Sequence, residues 1–131
     1  MTIEEIKEGF SFLDDWESRY AYLIELGEGL PLFPEADKTP ENKVEGCMSQ
    51  VWLSALKKGD KYLFNATSDA MIVKGLIAIV LAAYSDKTAE EIHQVDIQKI
   101  FDELELGAHL SPTRRNGFFA MVERIKSLSV R

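Results

Sequence analysis

Residues 70–84, AMIVKGLIAIVLAAY, contain the longest apolar run of this 131-residue chain, and their pattern decides the fold. At about 100° per residue, the apolar side chains of this segment point in nearly every direction around a helix axis. A helix that is apolar on most sides is buried on most sides. We therefore predict a helix from Ala70 to Tyr84 that crosses a sheet at the centre of the core, with Ser68 or Asp69 as its cap.

Two strand candidates precede this helix. Residues 50–57 are rich in apolar side chains, and residues 61–67 carry Tyr62, Leu63 and Phe64. Between them the sequence KKGD has the composition of a turn, so the two segments predict an antiparallel hairpin.

Helical patterns lie on both sides of the hairpin and the central helix. Upstream, apolar residues at three- and four-residue spacing predict a helix that is capped at Ser11 and ends at Gly27 or Gly29. Downstream, two helices open with a capping residue, Thr88 and Ser111. Between them, residues 96–104 also have a helical pattern, with apolar side chains on one face. Helices, a small sheet and more helices in that order predict an α+β fold, with a small antiparallel sheet packed against several helices.

Length, charge and cysteine content limit the class of protein. A chain of 131 residues is most simply one domain, residues 1–131. The net charge of −7 argues against a surface that follows nucleic-acid phosphates. The apolar run is shorter than the roughly 20 residues that span a bilayer, so we expect no membrane segment. The N-terminal sequence is unlike a signal peptide and the lone cysteine forms no internal disulfide, so we expect the cytoplasm.

Most motifs that carry chemistry are missing from the sequence. His93 and His109 lie far apart, and with one cysteine they do not make the ligand set of a structural zinc site. No phosphate-binding glycine loop and no nucleophile-elbow motif occur. We expect no metal site and no cofactor-binding site in this chain.

The one cysteine lies in KVEGCMSQVW, residues 43–52. A free cysteine is often a small buried hydrophobe. Here, however, Gly46 allows an unusual backbone turn, and the cysteine falls where a loop enters a strand, a common place for functional residues. Its reactivity would depend on the thiolate fraction. Cys47 is therefore the candidate reactive residue, suited to accept a group and pass it on.

Four segments together resemble the SufE family of cysteine-desulfuration proteins. They are WESRYAYLIELGEGLP (16–31), NKVEGCMSQVW (42–52), SDAMIVKGL (68–76) and LSPTRRNGF (110–118). The resemblance implies the fold shared with IscU-type scaffolds. It also implies that Cys47 accepts persulfide sulfur from a cysteine desulfurase of the SufS or CsdA type, stimulating that enzyme without being one itself. Pyridoxal phosphate would belong to the desulfurase, the sulfur would pass to a SufBCD-like scaffold complex, and the chain would be a monomer or weak homodimer.

Two other residues are candidates for positioning the loop or binding the partner. Asp69 is either an ordinary helix cap or an anchor for the resting Cys47 loop. Arg114 lies about 40° from Phe118 on the last helix, on the side of its apolar stripe. It either forms an internal salt bridge or hydrogen bonds with loop carbonyls, or lies near the Cys47 loop and helps dock the desulfurase, as the resemblance implies.

Two other classes of function remain open. A thiol enzyme such as a one-cysteine peroxidase would turn over peroxide without a desulfurase. A pure interaction module would hold Cys47 inert. We expect Met48, Val51 and Trp52 to shelter the thiol in an apolar pocket.

Overall fold

The computed structural model describes residues 2–47, 49–108 and 110–129. Helices and strands follow one another as the sequence predicts for an α+β protein. Short 3-10 turns lie at Glu35–Asp37, Pro40–Asn42 and Leu106–Ala108. The main elements are α1 (Ile3–Ser11), α2 (Trp16–Glu28), β1 (Val51–Lys58), β2 (Lys61–Ser68), α3 (Met71–Tyr84), β3 (Lys87–Thr88), α4 (Ala89–Gln94), α5 (Ile97–Glu103) and α6 (Pro112–Leu128).

Helix α3 is the centre of the core, as its apolar pattern predicts. Eight of its residues are buried, and all of them except Gly75 join one cluster with apolar residues from the other helices and the sheet. Helix α2 packs against it very closely, because Gly75 has no side chain. A Cβ atom at Gly75 would lie 2.3 Å from the carbonyl oxygen of Leu23. The crossing of α2 and α3 therefore depends on this glycine.

The sheet has the order β1-β2-β3, and both of its pairings are antiparallel. The predicted hairpin is confirmed: Val51 pairs with Ser68 at one end and Lys58 with Lys61 at the turn. The third strand is only two residues long and escaped prediction, because two residues carry no periodicity. Val51 and Leu53 face the core, while Trp52 lies on the opposite face of the sheet.

The helix ends agree with the sequence at three sites and differ at two. Thr88 and Ser111 each accept a backbone hydrogen bond as predicted caps, and Gly29 is the C-cap of α2. Asp96 caps α5 in the same way, which the sequence did not predict. The prediction that Ser11 caps the second helix is wrong. Residues 3–11 form a helix of their own behind a Thr2–Glu5 capping box, and Asp15 caps α2 instead.

The predicted cap of α3 is also wrong. The residue at the cap position is Ala70, which has no side chain able to accept a hydrogen bond. The Ser68 hydroxyl accepts from the Ala70 amide, 3.2 Å away, and the Asp69 carboxylate turns to another part of the chain. Apolar burial therefore holds this helix in place without a polar cap.

Within the described ranges, every helix is too short or too polar to cross a membrane.

Candidate functional site

The loop that carries Cys47 is fastened to the sheet on both sides. On the entering side, the Val44 amide donates to the Val51 carbonyl at 2.8 Å. On the leaving side, Gln50 and Asp69 bind each other twice. The Asp69 carboxylate accepts from the Gln50 amide at 3.1 Å, and the Asp69 amide donates to the Gln50 carbonyl at 3.3 Å. The chain therefore leaves the sheet edge after Val44 and is fastened to it again at Gln50.

Asp69 thus holds the end of the Cys47 loop. Of the two interpretations given for this residue, the ordinary helix cap is excluded, because its carboxylate binds the Gln50 amide. Asp69 itself is exposed, so a partner protein could contact it directly. Its position fits an anchor for the resting loop.

Gly46 turns the chain just before the cysteine. Its φ of +89° lies in the left-handed region that glycine adopts readily and other residues rarely do. A Cβ atom there would also approach the Ala120 Cβ of α6 to 3.3 Å. The glycine thus sets the direction of the loop and its close approach to α6.

Cys47 is half-buried against the first turns of α6. Its thiol donates to the Gly117 carbonyl oxygen, with the Sγ 3.6 Å from that oxygen. Beside the sulfur lies a cavity of about 30 Å³ between α3 and α6. The cavity is lined by Cys47, Ser49, Val73, Leu76, Thr113, Arg114, Gly117, Phe118 and Met121. Since about 10–15 Å³ holds a water molecule, this cavity has room for one further atom of the size of sulfur.

The surroundings of Cys47 favour its neutral form. Burial raises the pKa of the thiol above its ordinary value, and the nearby Glu45 carboxylate raises it further. A thiolate forms less readily here than in water, because the cavity solvates a negative charge poorly. In this position the thiol is therefore a weak nucleophile.

Arg114 lies at the same cavity as Cys47. Its guanidinium donates to the Tyr20 hydroxyl and lies over the Tyr20 ring, 5.9 Å from the ring centroid. Among the residues that the structure describes, no carboxylate forms an ion pair with Arg114. For this side chain the sequence left open an internal salt bridge or hydrogen bonds to loop carbonyls. The side chain instead contacts Tyr20 of α2.

The predicted shelter of the thiol is only partly as expected. A cavity exists beside the thiol. However, the Val51 side chain is buried in the core, and the Trp52 ring lies below the Lys38 ammonium group, whose Nζ is 5.6 Å from the ring centroid. Neither residue lines the cavity, which lies between α3 and α6. Met48 lies outside the described residues, and so does His109.

His93 is far from the site, and its Nε2 lies 2.8 Å from the Ser129 carbonyl oxygen. Within the described ranges, no three His, Cys, Asp or Glu side chains come together as a metal-binding group.

Sequence reasoning missed two residues that shape the site, Gly117 and Tyr20. Gly117 lies inside α6, where glycine is less favourable than alanine, and such a position is a signal for close packing. A Cβ atom at Gly117 would lie 3.5 Å from Cys47 Sγ and would fill part of the cavity. Tyr20 gave no comparable signal, since its apolar neighbours already explained it as a core residue.

The chain is similar to known proteins of one family. A family model described as SufE, an Fe-S metabolism associated domain, matches residues 4–129. The chain is similar to an uncharacterized SufE-like protein of Rhizobium meliloti, 50% identical over 130 residues that cover 96% of this chain and 93% of the relative. A second SufE-like protein, from Rhizobium etli, is 50% identical over 129 residues, covering 95% and 87%.

A solved structure shares the fold. The solution structure of a hypothetical protein from Thermus thermophilus matches with a TM-score of 0.76, covering 97% of this chain and 94% of the other. The two sequences are 20% identical, so this likeness shows the fold alone.

Proposed function

The chain belongs to the SufE family of Fe-S metabolism proteins, and on that premise we propose that it is a sulfur carrier whose acceptor is Cys47. A cysteine desulfurase of the SufS or CsdA type would supply the sulfur as a persulfide. A SufBCD-like scaffold complex would receive it for iron–sulfur cluster assembly. The observation that carries the proposal is the cavity beside Cys47 Sγ, which has room for the one atom that a persulfide adds.

The transfer step is an exchange between two sulfurs without net oxidation. The Cys47 sulfur attacks the outer sulfur of the desulfurase persulfide, and a new S–S bond forms on Cys47. The S–S bond of the desulfurase breaks, and its cysteine sulfur leaves with the electron pair of that bond. The proton lost by the Cys47 thiol goes to this leaving thiolate. Each transfer frees the desulfurase for another turnover, so the carrier stimulates it.

The raised pKa of Cys47 gives the carrier two distinct states. In the cavity the thiol is neutral, so it reacts slowly with small oxidants and electrophiles. When residues 45–49 swing outward toward the desulfurase, the sulfur leaves the apolar cavity and the desolvation of its charged form is relieved. We propose that the thiolate forms at that point, where the reaction partner is present. Gly46 would act as the pivot.

Asp69 and Arg114 would assist this cycle in different ways. Asp69 fastens the resting loop at Gln50. Arg114, a half-buried cation at the mouth of the cavity, would contact the desulfurase after docking. The cofactor chemistry, which breaks the C–S bond of free cysteine, would take place on pyridoxal phosphate within the desulfurase. The proposed location of this protein is the cytoplasm.

The competing functions fit the site less well. A peroxidase needs a stabilised thiolate, and burial and Glu45 act in the opposite direction here. An inert cysteine in an interaction module would be packed in the core, whereas Cys47 is half-buried in a loop beside a cavity.

The experiment that tests the proposal is a measurement of sulfur uptake. The protein is mixed with a cysteine desulfurase and free cysteine, separated without reductant, and its intact mass is measured. We expect a gain of one sulfur atom on wild type and none on Cys47→Ser, which is nearly isosteric but forms no persulfide. Equal stimulation of the desulfurase by wild type and a folded Cys47→Ser variant would refute the carrier function.

A further inference from the structure

One face of α6 runs along the chain from residue 41 to Cys47. Residues 114, 117, 120 and 124 recur at three- and four-residue spacing, which places them on one side of a helix. Arg114 and Gly117 line the cavity, and Ala120 lies next to Gly46. The fourth residue, Arg124, meets the chain before the loop begins.

The Arg124 side chain binds backbone carbonyl groups rather than acidic side chains. Its guanidinium donates to the Glu41 carbonyl and, at 3.4 Å, to the Lys43 carbonyl. In the part of the chain that the structure describes, no carboxylate forms an ion pair with it. A planar guanidinium offers several donors in a fixed fork, so it suits two neighbouring carbonyl groups. The side chain is half-buried, although the protein has an excess of exposed carboxylates that could have attracted it.

Cys47 lies midway in sequence between the two residues, Val44 and Gln50, at which hydrogen bonds fix the loop to the sheet and the following connection. Val44, paired with Val51, lies three residues before it, and Gln50, bound to Asp69, lies three residues after it. Three extended residues span about 10 Å. The cysteine is therefore at the apex of the loop, and while both fixed points keep their hydrogen bonds it can lie at most about 10 Å from either of them.

We propose that Arg124 is a positioning residue that holds residues 41–44 on α6 while residues 45–49 move. With Arg124 in place, opening is confined to the short segment around Gly46, and Cys47 returns to the cavity over Gly117. Without it, the chain before the loop separates from α6 as well, and the sheltered position of Cys47 is less populated. The use of this motion for sulfur transfer rests on the proposed function; the anchoring itself does not.

The anchoring is tested by the reactivity of Cys47 toward a small alkylating reagent, iodoacetamide. We expect Arg124→Ala to react about five-fold faster at neutral pH, the factor set by one net hydrogen bond. The midpoint of its pH profile should move down, because the thiol spends more time in water. Arg124→Lys keeps the cation but not the fork and should lie between this variant and wild type. Lys126→Ala is the matched control on the same helix and should react as wild type.

An alkylation rate and pH midpoint equal to wild type, in a folded Arg124→Ala protein, would overturn the proposal. If that variant does not fold, hydrogen exchange of Arg124→Lys, compared with wild type, decides. The amides of residues 42–44 already donate to backbone carbonyls in wild type, so the comparison between the two proteins isolates the guanidinium. These amides should exchange faster in Arg124→Lys, and unchanged rates would overturn the anchoring. Neither measurement involves a desulfurase. A wild type that gains no sulfur would thus refute the carrier function and leave the role of Arg124 standing.

Discussion

At the scale of single residues, the site combines the neutral thiol of Cys47 with the nearby cation of Arg114, which has no carboxylate partner among the described residues. Cys47 donates to a backbone carbonyl, and Arg114 binds a tyrosine hydroxyl. Neither side chain is fixed by an opposite charge among the described residues. Both can therefore change partners at a modest free-energy cost when another protein docks, since a net hydrogen bond contributes about 1 kcal/mol.

The pH profile of Cys47 alkylation should reveal its surroundings. We expect the native midpoint to lie above that of the unfolded protein, whose thiol has the ordinary pKa of about 8.5, because burial disfavours the thiolate and Glu45 adds to the effect. Glu45→Gln should lower the native midpoint only slightly, since burial is the larger cause. The rates are measured with iodoacetamide between pH 6 and about 10, with Cys47→Ser as the blank. A native midpoint at or below the unfolded one would contradict the burial of the thiol.

Replacing Arg114 should separate docking from thiol chemistry. We expect Arg114→Ala to reduce the stimulation of a cysteine desulfurase about ten-fold or more, mainly through a higher concentration needed for half-maximal effect, because a half-buried cation at the cavity mouth is lost. Alkylation of Cys47 should stay within about two-fold of wild type. The matched control is Arg115→Ala, which removes an exposed arginine that donates to the Gly107 carbonyl. Normal stimulation by a folded Arg114→Ala protein would leave Arg114 with a structural role.

At the scale of elements, the loop depends on how the hairpin meets α3. Strand β2 ends at Ser68, and the next residue, Asp69, reaches back across the hairpin to the residue before β1. The short connection between β2 and α3 thus closes the Cys47 loop. Burial of α3 makes this possible, because the helix begins without using Asp69 as a cap.

Asp69→Ala should therefore loosen the loop with little effect on α3. We expect alkylation of Cys47 to become about five-fold faster, since one hydrogen bond of a charged acceptor to the Gln50 amide is lost. The free energy of unfolding should change by less than about 1 kcal/mol, because the carboxylate is exposed and caps no helix. Asp69→Asn, which keeps an acceptor oxygen, is the control. Unchanged alkylation kinetics in Asp69→Ala would remove Asp69 from the loop's anchors.

At the scale of the whole molecule, the core contains a polar atom, the Tyr84 hydroxyl oxygen, that has no partner among the described residues. The Tyr84 hydroxyl is buried at the end of α3 and has no hydrogen bond within the described part of the chain. Burial, with smaller effects of Glu123 and Asp96, raises the pKa of Tyr84 to about 12. An unfolded tyrosine ionises near pH 10. The free energy of unfolding should therefore depend on the ionisation of Tyr84 at alkaline pH.

The sign of that linkage follows from the two pKa values. Below about pH 10 the hydroxyl is neutral in both states. As the pH rises toward 12, the unfolded state loses the proton while the folded state keeps it, so the free energy of unfolding falls. Between pH 7 and 11, Tyr84→Phe should lose less stability than wild type by roughly 1.4 kcal/mol, and it should equal or exceed wild type at neutral pH. Urea unfolding of both proteins from pH 7 to 11 measures this. Parallel pH dependence would contradict the assignment.

Much of the architecture follows from short-range patterns in the sequence. The buried helix 71–84, the hairpin, two downstream caps and the end of α2 were predicted because each depends on residues within a few positions of one another. The failures also have local causes. Ser11 resembled a cap but ends a helix that Thr2 begins, and β3 is too short to show a period.

Cys47 and Gly46 were chosen as candidates from the sequence, and their roles in sulfur transfer stay predictions. The sequence by itself determined the class of fold, the position of the thiol and the glycine turn before it, since these follow from local composition. Only the tertiary structure decided what surrounds them. Contacts of Cys47 with Gly117, of Gln50 with Asp69 and of Arg114 with Tyr20 join residues 70, 19 and 94 positions apart. No local pattern encodes such pairs, because they form only when the buried faces of α2, α3 and α6 pack together.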